Sequence, residues 1–348
     1  MIKIVSPITN ISEVDPLIDA GASELYCGVI TGQENKSLTS IYCLNRRPSL
    51  FSNLPSFKEL EALVKKAKMR KVKVSFTLNE FYTEDQFENV KDQVKKAIDC
   101  GIDAFIAADL GLIKELQKYK DRVEIHVGVG ATTFNADTAG FYQRMGVRRI
   151  ILPRQLTLDE IGEICSKDEN LEFECLILNE RCHFIDGYCN FLHSAFSYQN
   201  PLLNLFKYDR FRSKIWQLLP AAISKMIHVY GMKKEIACCF NYKAEINAGT
   251  ALLKNRPSLD NFFNADTFLN ACGACSLQAL DKAQISFVKI VGRVSFKNKV
   301  KDVAFIARCL KLLGKENGAD FCHVVEDIYR QTYKTYCCKS YCYYPKEQ

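Results

Sequence analysis

The segment that decides the fold is Leu171–Ser194, which runs LEFECLILNERCHFIDGYCNFLHS. It begins with Phe173–Leu178, a run that is apolar apart from Glu174 and is typical of a buried parallel strand. A polar stretch follows at once and carries Cys182 and Cys189. Because α/β enzymes hold reactive side chains in loops at the carboxyl ends of strands, this segment predicts a functional site.

The rest of the chain repeats the alternation of strand and helix. Amphipathic segments separate the apolar runs, and capping-box patterns at Ser56 with Glu59 and Thr157 with Glu160 mark helix starts. The predicted strands are Ile2–Val5, Glu24–Val29, Val72–Leu78, Ala104–Ala107, Val123–Val127, Val147–Leu152, Phe173–Leu178 and Ile285–Val291. Eight such units predict a (β/α)8 TIM-type barrel, whereas the rival, a doubly wound open sheet, usually needs fewer repeats.

The spacing of these strands divides the chain into three regions. Residues 1–179 and 285–310 supply the α/β barrel, and residues 180–284 form a long cysteine-bearing insertion between strands 7 and 8. Residues 311–348 are a C-terminal helix and a cysteine-rich tail, in which Cys337, Cys338 and Cys342 receive no role. An insertion of this length in a compact domain is usually functional or forms a subdomain.

Polar side chains stand directly after several predicted strands. Each one alone is most often a helix cap or a turn residue, but the carboxyl ends of barrel strands meet at one mouth. We therefore expect these residues to line a common substrate site. They are Asn79, Asp109, Arg154, Glu180 and Arg293, with Asn135 in the corresponding position after strand 5.

Composition and charge limit the class of protein. The 348 residues are 48% hydrophobic and 25% charged, as in globular domains, and no apolar run reaches the ~20 residues of a membrane span. The N-terminal apolar run is too short for a signal peptide, so a cytoplasmic location is expected. The net charge is +7, with a basic run from Lys65 to Lys73. The default explanation of this run is a solvated helix face. The more specific alternative is a surface that binds RNA or another polyanion.

The 16 cysteines are unusual for such a chain. Cys27, Cys100, Cys165, Cys175 and Cys309 fall inside strand or helix patterns and are interpreted as small core residues. The insertion holds six more: Cys182, Cys189, Cys238, Cys239, Cys272 and Cys275. Clustered thiols in a reducing compartment more often bind metal than form disulfides. Because only Cys272 and Cys275 have the spacing of a zinc knuckle, the uneven pattern favours an iron–sulfur cluster, with unliganded thiols as the alternative.

Other catalytic patterns are weak or missing. The sequence contains no HExxH, GxSxG or Walker loop, and no CxxxCxxC of the radical S-adenosylmethionine type. Cys182 with His183 or His193 is a further candidate for a nucleophilic pair, but the spacing of these residues is not characteristic of a catalytic Cys–His pair.

Four stretches resemble peptidase family U32. They are GASELYCG (21–28), LNRRPSLFSNLPSFKELE (44–61), RRIILPRQLTLDEI (148–161) and FVKIVGR (287–293), and the resemblance extends from about Ile2 to Arg293. It implies a barrel with a cluster-bearing insertion after strand 7. The family is named for collagenase-type peptidases and includes proteins that hydroxylate RNA bases or ubiquinone precursors without oxygen. Those carry a 4Fe-4S cluster on four cysteines, and some are linked to prephenate as oxygen donor.

The resemblance also implies the metal ligands. Cys182 and Cys189 match the first pair, Cys239 is favoured over Cys238 as the third, and Cys275 matches the fourth with Cys272 as alternative. Two departures concern the substrate more than the cluster. Gln155 replaces the usual Glu after Pro-Arg, and residues 178–181 replace a glycine-rich "His-Gly" run.

The leading expectation is an iron–sulfur enzyme that performs oxygen-independent hydroxylation, or related redox chemistry, at the barrel mouth. Asn79, Arg154 and Arg293 would position carboxylates there. The alternatives are a U32-type peptidase and a non-catalytic iron–sulfur partner protein. The substrate class stays open between a peptide, an RNA and a small aromatic precursor, and a partner protein of the same family is conceivable.

Overall fold

The computed structural model describes residues 1–30, 44–47, 52–180, 182, 185–188, 271–293, 298–315, 318–337 and 342–344. Within these residues, eight parallel strands close into a barrel in sequence order, and the first strand pairs with the last. The strands are β1 (Lys3–Pro7), β2 (Glu24–Cys27), β3 (Lys73–Leu78), β4 (Ala104–Ala107), β5 (Glu124–Val127), β6 (Arg149–Ile151), β7 (Glu172–Leu178) and β8 (Phe287–Ile290). The predicted (β/α)8 barrel is confirmed, and the closure between β1 and β8 excludes the open sheet.

Helices follow the strands and cover the outside of the barrel. They are α1 (Val14–Asp19), α2 (Phe57–Met69), α3 (Glu84–Asp99), α4 (Leu110–Leu116), α5 (Ala136–Arg144), α6 (Leu158–Ser166), α7 (Leu277–Lys282), α8 (Lys299–Leu310) and α9 (Gly318–Tyr333). The capping box of Thr157 and Glu160 is complete, because each side chain accepts a hydrogen bond from the other's backbone amide. At Ser56 the side chain accepts from the Glu59 amide, so this helix also starts where the sequence predicted. None of the described helices is long and apolar enough to cross a membrane.

The main core lies between the barrel and its helices, and a smaller apolar cluster lies inside the barrel. The inner cluster contains Val5, Tyr26, Ile106, Ile151 and Phe287. Side chains alternate across a strand, so every second residue points into the barrel and the others face the helices. The cysteines that were predicted to be core residues are placed accordingly: Cys27, Cys165, Cys175 and Cys309 are buried, and Cys100 is half-buried against the core.

Charged side chains also fill the barrel interior, where they are paired. Glu174 accepts from Lys289 Nζ at 2.8 Å and from Arg149 Nη1 at 3.1 Å, and Arg149 Nη1 lies 2.9 Å from Glu24 Oε2. The Arg149 guanidinium also stacks on the Phe287 ring, 3.4 Å from its centroid. Burying a charge is costly unless a partner of opposite sign is held close, and here each charge has one.

The end of the insertion and the C-terminal tail both pack on β7. Cys272 pairs antiparallel with Leu178, and the Asn179 amide donates to the Ala271 carbonyl at 2.7 Å. Cys342 pairs in parallel with Cys272. Residues 342–344 thereby lie beside the carboxyl end of β7, which brings the tail to the mouth of the barrel.

Candidate functional site at the barrel mouth

A cavity of about 140 Å³ opens at the carboxyl ends of the strands. Its size suits a small molecule or a single base. The cationic side chains among its described lining residues are Arg46, Arg47, Arg154, Lys289 and Arg293. Asp186 is the acidic side chain among them and pairs with Arg154, while Glu80, Glu180 and Glu174 pair with Arg46, Arg47 and Lys289. The guanidinium groups of such a concave site can still donate further hydrogen bonds to a ligand that carries carboxylates or phosphates.

Arg293 forms the floor of the cavity beside β2 and β3. Its Nη1 donates to Thr77 Oγ1 at 2.9 Å and to Asn53 Oδ1 at 3.2 Å, and its Nη2 donates to the Asn45 carbonyl at 2.8 Å. Gly28 makes this approach possible. A Cβ at Gly28 would overlap Asn45 and lie 2.5 Å from Arg293 Nη1, so a larger residue would displace the guanidinium.

Arg154 is fixed by Asp186, which stands in the first part of the insertion. The guanidinium donates to both carboxylate oxygens, from Nε at 3.0 Å and from Nη2 at 2.5 Å, and Nη1 donates to the Glu180 carbonyl at 2.6 Å. Burial opposes the charge of Arg154, but the Asp186 carboxylate outweighs this and raises the pKa of the guanidinium. Arg154 therefore stays protonated in a fixed orientation.

The turn after β7 is held in an uncommon backbone conformation. Asn179 and Glu180 have φ angles of 68° and 42°, which cost L-residues roughly 1–2 kcal/mol each. Contacts on both residues hold the turn: Glu180 Oε2 accepts from Arg47 Nη2 at 2.7 Å, and Asn179 Nδ2 donates to Asp302 Oδ2 at 2.9 Å. The hydroxyl of Tyr343 donates to the Asn179 carbonyl. Strained backbone of this kind recurs at ligand sites, where the surrounding contacts stabilise it.

Asn79 offers a hydrogen-bond acceptor to a ligand. It lines the cavity after β3, and its Oδ1 is buried without a partner among the described residues. A buried amide oxygen in this state favours a ligand that brings an N–H or O–H donor.

The five residues predicted to bind substrate all follow strands at this end of the barrel, but their positions differ. Asn79, Arg154 and Arg293 line the cavity, and Glu180 lies directly behind it as the partner of Arg47. Asp109 is not among the lining residues. Its Oδ1 accepts from the Leu112 amide at 2.8 Å, so it caps α4, and Asn135 caps α5 in the same way.

The structure describes part of the predicted cysteine set. Cys182 lines the cavity and lies close enough to Arg154 to influence its pKa. Cys272 is buried at the end of β7, and Cys275 lies in the turn before α7, away from the described cavity lining. Cys189, Cys238 and Cys239 lie outside the described residues. Cys182 is thus the one described member of the set that lines the cavity beside a fixed cation, and the iron–sulfur cluster stays a prediction.

Several residues of the site were not predicted from the sequence. Arg46, Arg47 and Asn45 follow β2, so the rule that selected Asn79 also applies to their loop. Lys289 could have been found, because a lysine inside an apolar strand needs a partner of opposite charge when it is buried. For Asp186 and Tyr343, which come from the insertion and the tail, the sequence gives no comparable signal.

Comparisons with known proteins agree with this architecture. The profile of peptidase family U32 matches residues 9–201, more than half of the chain. The tRNA hydroxylation protein P of Helicobacter pylori is 28% identical over 188 residues, which are 54% of this chain and 42% of that protein. The uncharacterized protease MJ0090 of Methanocaldococcus jannaschii is 30% identical over 195 residues, with 54% and 43% covered. The 23S rRNA 5-hydroxycytidine C2501 synthase of Escherichia coli is 28% identical over 140 residues, with 40% and 21% covered.

The matched stretches thus span less than half the length of these relatives. The profile match, over residues 9–201, includes the loop after β2, Asn79 and the Pro-Arg turn after β6, which build most of the described mouth. On the matched profile and this barrel, the chain belongs to peptidase family U32.

Proposed function

We propose that the protein hydroxylates an RNA base without molecular oxygen, with an iron–sulfur cluster at the barrel mouth. The observation that carries the proposal is the position of Cys182, beside the fixed cation Arg154 and inside a cavity lined by four arginines. Two relatives with different RNA substrates in their names, one tRNA and one rRNA, support the substrate class.

The proposed cluster ligands are Cys182, Cys189, Cys239 and either Cys275 or Cys272. When bound, the cluster would supply redox chemistry and a site for the oxygen donor. Arg154 lies close enough to Cys182 for the sulfur to contribute to the raised pKa of the guanidinium. The cavity walls would limit the access of water.

The arginines of the cavity fit an oxygen donor that carries carboxylates. Arg46 and Arg47 pair with Glu80 and Glu180 but keep 21% and 27% of their side chains exposed, so both can offer further donors to a ligand from the rim. Arg293 lies deeper and is 5% exposed, and its role is to define the floor. Planar guanidinium groups bind carboxylates through paired hydrogen bonds, which would orient the donor.

Asn79 fits the base to be hydroxylated. Its buried Oδ1 can accept from an exocyclic amino group or a ring N–H of an extruded base. Tyr26 and Ile151 offer apolar surface in the same cavity for contact with the ring. The base would then lie between the amide of Asn79 and the region of Cys182.

A peptidase is the second candidate, favoured by the family name and by the relative named as a protease. The described lining offers Cys182 as a nucleophile, and the histidines considered as its base, His183 and His193, lie outside the described residues. The carboxylates inside the barrel already pair with Arg149 and Lys289, so we do not assign either of them as the base for Cys182.

The test is anaerobic purification and cluster reconstitution, followed by iron analysis, an absorption spectrum and incubation with unmodified tRNA and rRNA transcripts. We expect bound iron, a broad absorption near the visible–ultraviolet border and a hydroxylated nucleoside by mass spectrometry. Cys182→Ser should lose the iron and the product, whereas the core variants Cys165→Ser and Cys100→Ser should keep both. A protein without iron that cleaves peptides would establish the peptidase, and iron without turnover on RNA would leave a binding protein.

A further inference from the structure

A second cavity adjoins the mouth on the side of β5. It is open, measures about 510 Å³, and is formed by the loop after β5, by α5 and by one residue of the insertion. This volume lies within the roughly 300–1,000 Å³ of typical ligand pockets. We call it the outer pocket. Its lining includes the aromatic residues Phe134, Phe141 and Tyr188 and the polar residues Asn135 and Asp137.

The outer pocket and the mouth lie on two sides of one contact, between Gly187 and Thr132. A Cβ on Gly187 would overlap Thr132 Cγ2 and lie 2.9 Å from the Gly130 carbonyl oxygen, and the Gly187 φ of 86° also favours glycine. Residues 128–130 and 185–187 line the mouth on one side of this contact. The residues that follow them in each segment line the outer pocket on the other side. The two cavities are therefore neighbours along both segments.

Two exposed aromatic rings stand at the outer pocket. Tyr188 is 69% exposed and Phe141 is 42% exposed. The Phe141 ring meets the Tyr142 ring edge to face, with centroids 5.4 Å apart, and the Tyr142 hydroxyl donates to the Ala131 carbonyl at 2.9 Å. The wall that carries Phe141 is thus supported from behind. Exposed rings on such a wall are the surfaces on which unpaired nucleobases stack.

The polar side chains of the outer pocket suit a base better than a phosphate. Asp137 is exposed there, and the described lining of this pocket holds no lysine or arginine to bind a phosphate. A carboxylate accepts hydrogen bonds from an exocyclic amino group, such as that of cytosine. Asn135 accepts through Oδ1 from the Thr138 amide and hydroxyl, at 2.8 and 3.0 Å, so its Nδ2 group takes no part in the helix cap and can donate to a base.

We propose that the outer pocket binds the unpaired base next to the one in the mouth, and that it prefers a base with an amino group over uracil. This inference rests on the proposed RNA substrate and adds a second subsite to it. Neighbouring cavities suit neighbouring nucleotides, and a base whose neighbour is extruded has lost one stacking partner, which Tyr188 or Phe141 would replace. Asp137 would accept from the amino group and would repel the O4 oxygen of uracil.

The experiment compares two single-stranded RNA probes of roughly eight nucleotides, oligocytidylate and oligouridylate, on the full-length chain. Binding is measured by fluorescence anisotropy, without turnover. We expect the wild type to bind oligocytidylate about fivefold more tightly or better. Asp137→Asn should lower this preference about threefold or more, because an amide can pair with either base. Asp159→Asn is the matched control and should keep the preference, since Asp159 is exposed in the first turn of α6 as Asp137 is in the first turn of α5.

The two rings are tested with the oligocytidylate probe. Phe141→Ala and Tyr188→Ala should each weaken binding about fivefold or more. Tyr188→Phe keeps the ring and should bind as the wild type does. Tyr336→Ala is the control, because Tyr336 is also an exposed tyrosine but follows α9. Wild-type affinity in both alanine variants of the pocket, or an unchanged preference in Asp137→Asn, would overturn the proposal.

These outcomes separate the outer pocket from the proposed function. RNA binding that responds to the pocket variants, without a hydroxylated product, would refute the hydroxylase and keep the outer pocket. A hydroxylated product, with every pocket variant binding as the wild type does, would refute the outer pocket alone. No binding of either probe by the wild type would refute the outer pocket together with the RNA substrate.

A measurement on the unmodified protein covers the case in which the variants do not fold. Ultraviolet crosslinking of the oligocytidylate complex, followed by peptide mass spectrometry, should place nucleotide adducts on Phe141 or Tyr188. Adducts confined to other peptides would also overturn the proposal.

Discussion

The Asp186 carboxylate accepts three hydrogen bonds from Arg154. They come from the guanidinium Nε at 3.0 Å, from Nη2 at 2.5 Å and from the backbone amide at 2.9 Å. The two residues are 32 positions apart and belong to the loop after β6 and to the insertion. The side chains are 13% and 5% exposed, so the pair is nearly buried. This contact sets where the insertion begins relative to the mouth, and therefore where Cys182 lies.

The first prediction concerns this pair. Asp186→Asn keeps the shape but removes the charge, leaving a nearly buried guanidinium without its carboxylate. We expect a loss of about 2–4 kcal/mol in the free energy of unfolding, measured by urea denaturation. Glu163→Gln is the control, because Glu163 pairs with Lys167 where both side chains are more than half exposed, and should change the value by under ~1 kcal/mol. Equal effects would show that the Asp186 pair is no stronger than a surface pair.

The second prediction concerns the barrel interior. Glu174→Gln removes the carboxylate shared by Lys289 and Arg149, all buried. We expect a loss of about 3–5 kcal/mol in unfolding free energy, because a charge left buried without its partner is strongly destabilising. Glu172→Gln removes another partner of Arg149, at 3.2 Å but one-quarter exposed, and should cost clearly less. A larger loss for Glu172→Gln would contradict the assignment of Glu174 as the central acid.

The third prediction is a pH dependence. The neighbouring His126 and Lys73 lower the pKa of Glu124 from 4.5 to about 2, with His126 the larger influence. Because the folded pKa lies below the unfolded one, Glu124 stabilises the protein fully above pH 4.5 and loses this effect as the pH falls toward 2. The stability difference between wild type and Glu124→Gln should therefore shrink from pH 6 to pH 3, as followed by urea denaturation. A difference that stays constant over this range would show that Glu124 is not the group responsible.

The fourth prediction concerns the basic run of α2. The structure divides this run, because Lys66 and Arg70 pair with Asp15 at 2.8 and 3.0 Å, whereas Lys65, Lys68 and Lys71 are exposed. The paired members support a solvated helix face, and the exposed ones are available to RNA. We expect reversal of these three lysines to glutamate to weaken tRNA binding and to flatten its salt dependence, since each lost phosphate contact removes about 0.9 from the slope.

The control for this prediction carries the same charge change on another face. It reverses Lys114, Lys118 and Lys120, which are exposed between β4 and β5. Equal weakening in both triple variants would mean that total charge, and not the α2 face, governs binding.

Sequence pattern alone determined the barrel and predicted the end at which the candidate site lies. The strand at Ala104–Ala107 was predicted with its observed limits, and Val72–Leu78 differs by one residue from Lys73–Leu78. The strand predicted to reach Val29 ends at Cys27, because the backbone from Gly28 to Ile30 pairs with Leu54 and no longer with β3. These features are predictable because apolar periodicity and capping are local properties of the chain.

Only the tertiary structure decided which polar residues form the mouth. Asp109 and Asn79 follow neighbouring strands in the same way, yet Asp109 turns back to cap α4 and Asn79 lines the cavity. Arg154 bonds to Asp186, and Asn179 bonds to Tyr343, 164 residues away in the sequence. Such partners depend on how the closed barrel, the insertion and the tail meet in space. A side chain's hydrogen-bond partners are fixed by distance and direction, which sequence spacing does not encode beyond a few turns of chain.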